Sequence, residues 1–167
     1  MSVIEKPTPV LWIDLDGTVR YSKNGEFVNK PEDVEVFLGV PKLLADYKRK
    51  GWRVVAVSNQ GGIALGYLTL EDCMKGMMRT QELCGNVFDR MACCRHHPSA
   101  SDQIMSECWC RKPRIGLLVE CGLSMAEQFG EIYPPHMALF VGDREEDKQC
   151  AENAGINFMW AADWRGV

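Results

Sequence analysis

Short, continuous apolar runs recur along this chain, each ending in a polar cluster and followed by a stretch with helical spacing. The clearest are Val10-Leu11-Trp12-Ile13, Trp52-Arg53-Val54-Val55-Ala56-Val57 and Met137-Ala138-Leu139-Phe140-Val141. Runs without polar alternation predict strands buried on both faces, as in a parallel sheet. Asn86 to Cys93 and Ile156 to Trp160 supply two more strands. Val40 to Lys50 predicts a helix, with Val40, Leu43, Leu44 and Tyr47 on one face, a basic last turn and Gly51 as its stop. Thr69 to Cys84 predicts a second helix, capped by Thr69 with Asp72 in the capping-box position, its apolar face being Met74, Met77, Met78 and Leu83. Ile115 to Phe129, and about Glu145 to Asn153 with Gly155 as its stop, predict two further helices. Arg20 to Glu35, rich in Lys, Asn, Gly and Pro, reads as an exposed hairpin or flap. Alternating strands and helices imply an α/β fold, a Rossmann-like three-layer sandwich around a mainly parallel sheet. With no repeat or linker, residues 1–167 are expected to form a single domain.

The polar clusters closing these runs carry the chemistry. Asp14 and Asp16 follow the first strand and Gly17-Thr18 turns the chain; Ser58-Asn59 follows the second strand and Asp143 the fourth, with Asp147 one helical turn on. Arg111-Lys112-Pro113 precedes a helix. Open parallel sheets bind ligands beyond the carboxyl ends of their strands, so these clusters should meet at one edge. Carboxylates are hard oxygen ligands that suit Mg²⁺, which also binds substrate phosphate. Lys112 supplies an opposing positive charge, and Ser58 with the backbone N–H groups near Asn59 can bond phosphoryl oxygens. The set describes phosphoryl transfer.

Composition narrows the setting. A chain of 167 residues with 46% hydrophobic content can bury one substantial core. Nineteen basic residues against 23 acidic ones give a net charge of −4, which supplies no broad attraction for nucleic acid or anionic membranes. No run has the length to cross a bilayer, and Met1 to Pro9 lacks the pattern of a secretory leader, so a cytoplasmic location is expected. Eight cysteines then read as thiols or metal ligands rather than disulfides. Cys73, Cys84, Cys121 and Cys150 lie in core-like surroundings and read as buried thiols.

In order, DLDGT, SNQ, RKP and GDREED resemble the four motifs of the haloacid dehalogenase (HAD) superfamily of phosphohydrolases. The resemblance covers roughly Val10 to Trp160. It implies a HAD-like fold in which Asp14 attacks phosphorus to give an aspartyl-phosphate and Asp16 acts as general acid and base. It further implies Mg²⁺ held by Asp14, the Asp16 backbone carbonyl and Asp143, with Ser58 and Lys112 cradling the phosphoryl group. Asn59 and Arg111 are further phosphate-binding candidates, Asn59 having loop shaping as its alternative. Asp147 would orient Lys112 or a Mg-bound water. Arg111 and Arg144 are candidates for a second anionic group on the substrate. Between Asp14 and Ser58 there is room only for the flap, one helix and one strand, so a capless enzyme is expected.

A second metal is legible in Cys94-Arg95-His96-His97 followed by Cys108-Trp109-Cys110. Three thiolates and one imidazole suit a closed tetrahedral Zn²⁺ site that pins a loop, about residues 93–111, and aims Arg111 and Lys112. This loop with RKP after it resembles the branch of the superfamily that contains heptose-bisphosphate and histidinol-phosphate phosphatases. The resemblance implies Cys94, His96, Cys108 and Cys110 as ligands, with Cys93 and His97 in competition. Leu15 stands where that branch leads one to expect Arg, and Arg144 where its heptose enzymes favour Lys. The expected substrate is a small phosphoester such as a sugar phosphate or bisphosphate. A nucleotide or a polynucleotide 3′ end is the same-class rival, less favoured by the net charge. A zinc-stabilised, non-catalytic binding module is the alternative from another class. Oligomeric state is left open.

Overall fold

Val10, Leu11, Trp12 and Ile13 are all buried, yet they face two different cores. In this computed structural model, which describes residues 5–167, Leu11 and Ile13 pack with Val40, Leu44, Met77 and Trp164. Val10 and Trp12 pack with Leu117, Cys121, Met125 and Ala151 on the opposite side. Period-two alternation thus supplies both faces of one sheet, and the three-layer arrangement follows. Residues 1–4, part of the Met1 to Pro9 segment read for a leader, lie outside the described residues.

In chain order the strands are β1 (Lys6–Pro7), β2 (Val10–Ile13), β3 (Arg20–Ser22), β4 (Val34–Val36), β5 (Arg53–Asn59), β6 (Arg90–Cys94), β7 (Glu131–Ile132), β8 (Ala138–Gly142) and β9 (Asn157–Trp160). The helices are α1 (Val40–Arg49), α2 (Leu70–Leu83), α3 (Gln103–Ser106), α4 (Gly116–Phe129), α5 (Glu145–Ala154) and α6 (Ala161–Arg165). The main sheet has the order β6-β5-β2-β8-β9, and every pairing in it is parallel. β1 pairs with β7, and β3 pairs antiparallel with β4 to form the expected hairpin. The chain winds outward from β2 in both directions, so the carboxyl ends of β5, β2 and β8 lie side by side. Among the described residues no helix is long and apolar enough to cross a membrane.

The helices begin and end where the local signals place them. Thr69 accepts a hydrogen bond from the Asp72 N–H at 3.0 Å, a cap that contributes about 1 kcal/mol. All eight cysteines are free, and Cys73, Cys84, Cys121 and Cys150 are buried.

Three expectations change. The hairpin is not exposed throughout, because Arg20, Val28 and Val34 are buried beneath it. α2 packs through Cys73, Gly76, Met77 and Thr80, leaving Met74 and Met78 exposed; the hairpin as well as the sheet covers that helix, which turns its buried face. β6 begins at Arg90 rather than Asn86, because Asn86 takes a left-handed φ of 59° and the Gln81 amide clamps Phe88 through both its N–H and its carbonyl. The short helix α6 was not expected. Trp164 buries it in the core.

Candidate active site

The edge where the polar clusters meet is assembled by strand ends. The Asp14 N–H donates to Val141 O at 3.0 Å, which carries the ladder one residue past β2 and fixes the carboxylate beside β8. Gly17 then turns at φ 85°, and a Cβ there would lie 2.2 Å from an Asp143 carboxylate oxygen. Only glycine lets the turn approach Asp143 so closely. Arg165 of α6 holds the same turn, donating to Gly17 O at 3.1 Å and Thr18 O at 2.8 Å.

Lys112 organises the centre. It is buried, and its Nζ donates to Asp14 Oδ1 at 2.8 Å, Asp147 Oδ1 at 2.7 Å and Val57 O at 2.8 Å, which uses all three protons. Asp147 Oδ2 accepts from the N–H groups of Asp143 and Arg144 at 3.2 and 3.1 Å. Burial pushes the Asp14 carboxyl well above its ordinary value; the Lys112 cation pulls it down and the Asp147 charge adds to the rise. Burial also works against the charge on Lys112, but Asp14 and Asp147 outweigh it and hold the amine above the usual lysine value.

Asn59, a candidate at the phosphate or for shaping the loop, grips the Lys112 main chain: its Nδ2 donates to Lys112 O at 3.1 Å and its Oδ1 accepts from Lys112 N at 3.0 Å. Ser58, also expected there, is 1% exposed, and its Oγ accepts from Gln60 Nε2 at 2.8 Å. Asp16 accepts from Arg20 Nε at 2.8 Å and from Gln60 Nε2 at 2.7 Å. Over this floor opens a cleft of about 520 Å³ whose walls include Arg111, Arg144, His97, Phe27 and Tyr67. Leu15 points away from the cleft into the core.

Two groups of side chains have the disposition of metal ligands. Carboxylate oxygens of Asp14, Asp143 and Asp147 lie within 4.8 Å of one another, as do the ligand atoms of Cys94, His96, Cys108 and Cys110. In the second group Cys94 Sγ is 3.7 Å from Cys108 Sγ and 3.5 Å from His96 Nδ1, and Cys110 Sγ is 3.3 Å from that nitrogen. A tetrahedron with metal–sulfur bonds of about 2.3 Å has edges of about 3.8 Å, so the donors match a zinc-sized centre. The competitors lie elsewhere: Cys93, on the other face of β6, is 4.0 Å from Cys73, and His97 Nδ1 accepts from Ser99 N. Arg111 donates to His96 O at 3.1 Å, which ties the loop to the cleft wall.

A family model described as polynucleotide kinase 3 phosphatase matches residues 9–163, nearly the whole chain. The chain belongs to that family of HAD phosphatases. Among its relatives, the D-glycero-beta-D-manno-heptose-1,7-bisphosphate 7-phosphatase of Haemophilus ducreyi is 30% identical over 152 residues, covering 87% of this chain and 78% of that protein. The histidine biosynthesis bifunctional protein HisB of Legionella pneumophila is also 30% identical, over 90% of this chain but 40% of its own length. Among solved structures, a HAD-like phosphatase from Mesorhizobium loti superposes with a TM-score of 0.78 at 28% identity, over 93% of this chain and 73% of that one. The D,D-heptose 1,7-bisphosphate phosphatase of B. bronchiseptica, complexed with magnesium and phosphate, gives 0.72 at 23% identity, over 90% and 79%. The chain is thus a phosphatase of HAD type with the fold expected of it.

In this HAD phosphatase the sequence reading passed over Gln60, which bonds Asp16 from inside the SNQ motif. Arg20 and Arg165 carried no local signal, since Arg20 lies in the segment read as a flap and Arg165 reaches the Gly17 turn from the far end of the chain.

Proposed function

We propose that this chain, acting as one domain, hydrolyses small phosphomonoesters of the sugar phosphate or bisphosphate class in two steps, with Asp14 as nucleophile. The observation that carries this reading is the buried Asp14–Lys112–Asp147 cluster at the centre of the sheet edge. Lys112 occupies Asp14 Oδ1 and leaves Oδ2 as the attacking atom. The same ammonium offsets charge on the phosphoryl oxygens as it moves between them and the carboxylate. Asp16 donates a proton to the leaving alkoxide, then takes one from the water that hydrolyses the aspartyl-phosphate. Asn59 fixes the Lys112 backbone, and Arg111 and Arg144 face the rest of the substrate from the cleft wall.

The donor set fits a magnesium ion. Two carboxylates and one ammonium leave the buried cluster with a net negative charge, and Asp143 adds a further carboxylate beside it. Asp14, Asp143 and the Asp16 carbonyl would hold Mg²⁺, which supplies charge neutralisation for the transferring phosphoryl group. Both Asp147 oxygens are engaged with Lys112 and main-chain N–H groups, so Asp147 serves to orient the lysine. Cys94, His96, Cys108 and Cys110 would hold Zn²⁺ as a structural clamp on the loop that carries Arg111.

The sugar-phosphate class is favoured by the relatives named for a heptose bisphosphate. A phosphorylated 3′ end is the second reading, favoured by the family model. The test is phosphate release, with Mg²⁺, from heptose bisphosphate, histidinol phosphate, nucleotides and 3′-phosphorylated oligonucleotides. Highest kcat/KM on the sugar bisphosphate is expected. Preference for oligonucleotides would replace it with the second reading, and release from no ester would end both.

A further inference from the structure

Arg20 is charged, 1% exposed, and used by none of the steps above. Its Nε donates to Asp16 Oδ1 at 2.8 Å and its Nη2 to Asp16 Oδ2 at 3.5 Å, and its Nη1 donates to Thr80 Oγ1 at 3.0 Å. Thr80 lies within α2 and gives its own hydroxyl proton to Gly76 O at 2.8 Å, so its lone pairs face the guanidinium. Burying a guanidinium is costly unless its charge and donors are matched. Here a carboxylate meets one side and an oriented hydroxyl the other. Gln60 also donates to Asp16 Oδ2, at 2.7 Å. The Asp16 side chain remains 27% exposed, towards the cleft.

We propose that Arg20 is a positioning residue for Asp16: anchored on Thr80 and bonding both carboxylate oxygens, it fixes the Asp16 carboxylate in the orientation from which it exchanges a proton with the leaving group in the cleft. The inference rests on the acid–base role given to Asp16 above. As the bond from Asp14 to phosphorus forms and the bond from phosphorus to the leaving oxygen breaks, the Asp16 carboxyl proton passes to that oxygen and a neutral alcohol departs. In the second step a water oxygen joins phosphorus as the bond from phosphorus to Asp14 breaks, the water's proton passes to the Asp16 carboxylate, and inorganic phosphate is released. A carboxylate free to rotate about its side-chain bonds would hold this orientation only part of the time.

The test exploits leaving groups. Nitrophenolate departs without a proton, whereas an alkoxide needs one. kcat/KM, which reports the steps through phosphorylation of Asp14, is measured on p-nitrophenyl phosphate and on the best alkyl phosphoester of the panel. Wild type is compared with Arg20→Gln, Arg20→Lys and Thr80→Val. Arg20→Gln should lose at least about tenfold more on the alkyl ester than on the aryl ester, with partial recovery in Arg20→Lys. Thr80→Val, which keeps the ion pair and a similar side-chain shape, should show the same bias more weakly, and it stays readable if Arg20→Gln does not fold. Equal losses on the two esters, or no loss, in variants that melt like wild type overturn the proposal. Wild-type protein that hydrolyses neither ester removes the phosphatase reading and this proposal with it, whereas turnover without leaving-group bias removes the proposal alone.

Discussion

The carboxylate–lysine cluster and the cysteine cluster adjoin in the chain, since Cys110 is followed by Arg111 and Lys112, but the chain holds them by different means. Asp14 and Asp143 sit at the ends of neighbouring parallel strands, and Asn59 and Asp147 lock Lys112 between them. That geometry is set by backbone ladders and a filled core. The cysteine loop between β6 and α4 has only the four-residue α3, which buries none of its residues. Besides one main-chain bond from His97 N to Met105 O and the Arg111 bond to His96 O, its two ends meet through the four potential ligand side chains. A metal should therefore act on chemistry at the first cluster and on folding at the second.

Four experiments would break or sharpen that contrast. Asp14→Asn should give the largest effect, a fall in turnover of at least about 10³-fold with the fold intact, as read by phosphate release and circular dichroism. Burial already penalises the Asp14 charge, so a neutral amide suits the position. Cys108→Ser should behave in the opposite sense, lowering the melting temperature by about 10 °C and removing zinc by elemental analysis, with activity lost only as Arg111 is released. Wild-type protein without zinc and equally stable would dissolve the contrast.

Asp147→Asn leaves Asp14 in place but takes one ionic partner from Lys112. It should cost about 10- to 100-fold in kcat with little change in zinc content. Far from both clusters, Glu131→Gln is the control: its carboxylate bonds Arg53 at 2.9 and 3.0 Å. Arg53 holds the Glu131 carboxyl below its usual value, so the pair contributes stability above about pH 4.3 that is lost as pH falls through the lowered value. The variant should melt about 2–4 °C lower at pH 7 and like wild type in acid, with activity unchanged.

Much of this site was legible because parallel strands are short apolar runs and their ends are where polar residues gather. Asp14, Asp143 and Lys112 needed no contact information, only motif order. Cys93 against Cys94 was different: alternation places them on opposite faces of a strand, but only the packing of α2 against β6 tells which face Cys73 occupies. Ser58 and the backbone near Asn59 were read as phosphate donors from their place at a strand end, with loop shaping as the alternative for Asn59. In the structure Ser58 accepts from Gln60, and the Asn59 side chain shapes the loop by bonding a main chain 53 residues away.

The sequence by itself determined the succession of strands and helices along the chain, the polar residues collected at strand ends and the spacing of four potential metal ligands in one loop. These follow from local periodicity and residue type. Tertiary structure alone decided that Arg20, in a polar hairpin, is buried against Asp16, that Arg165 pins the Gly17 turn, and that α2 shows its methionines to solvent. Each depends on which distant surfaces meet, and a long side chain's partner is set by that meeting rather than by its neighbours in the chain.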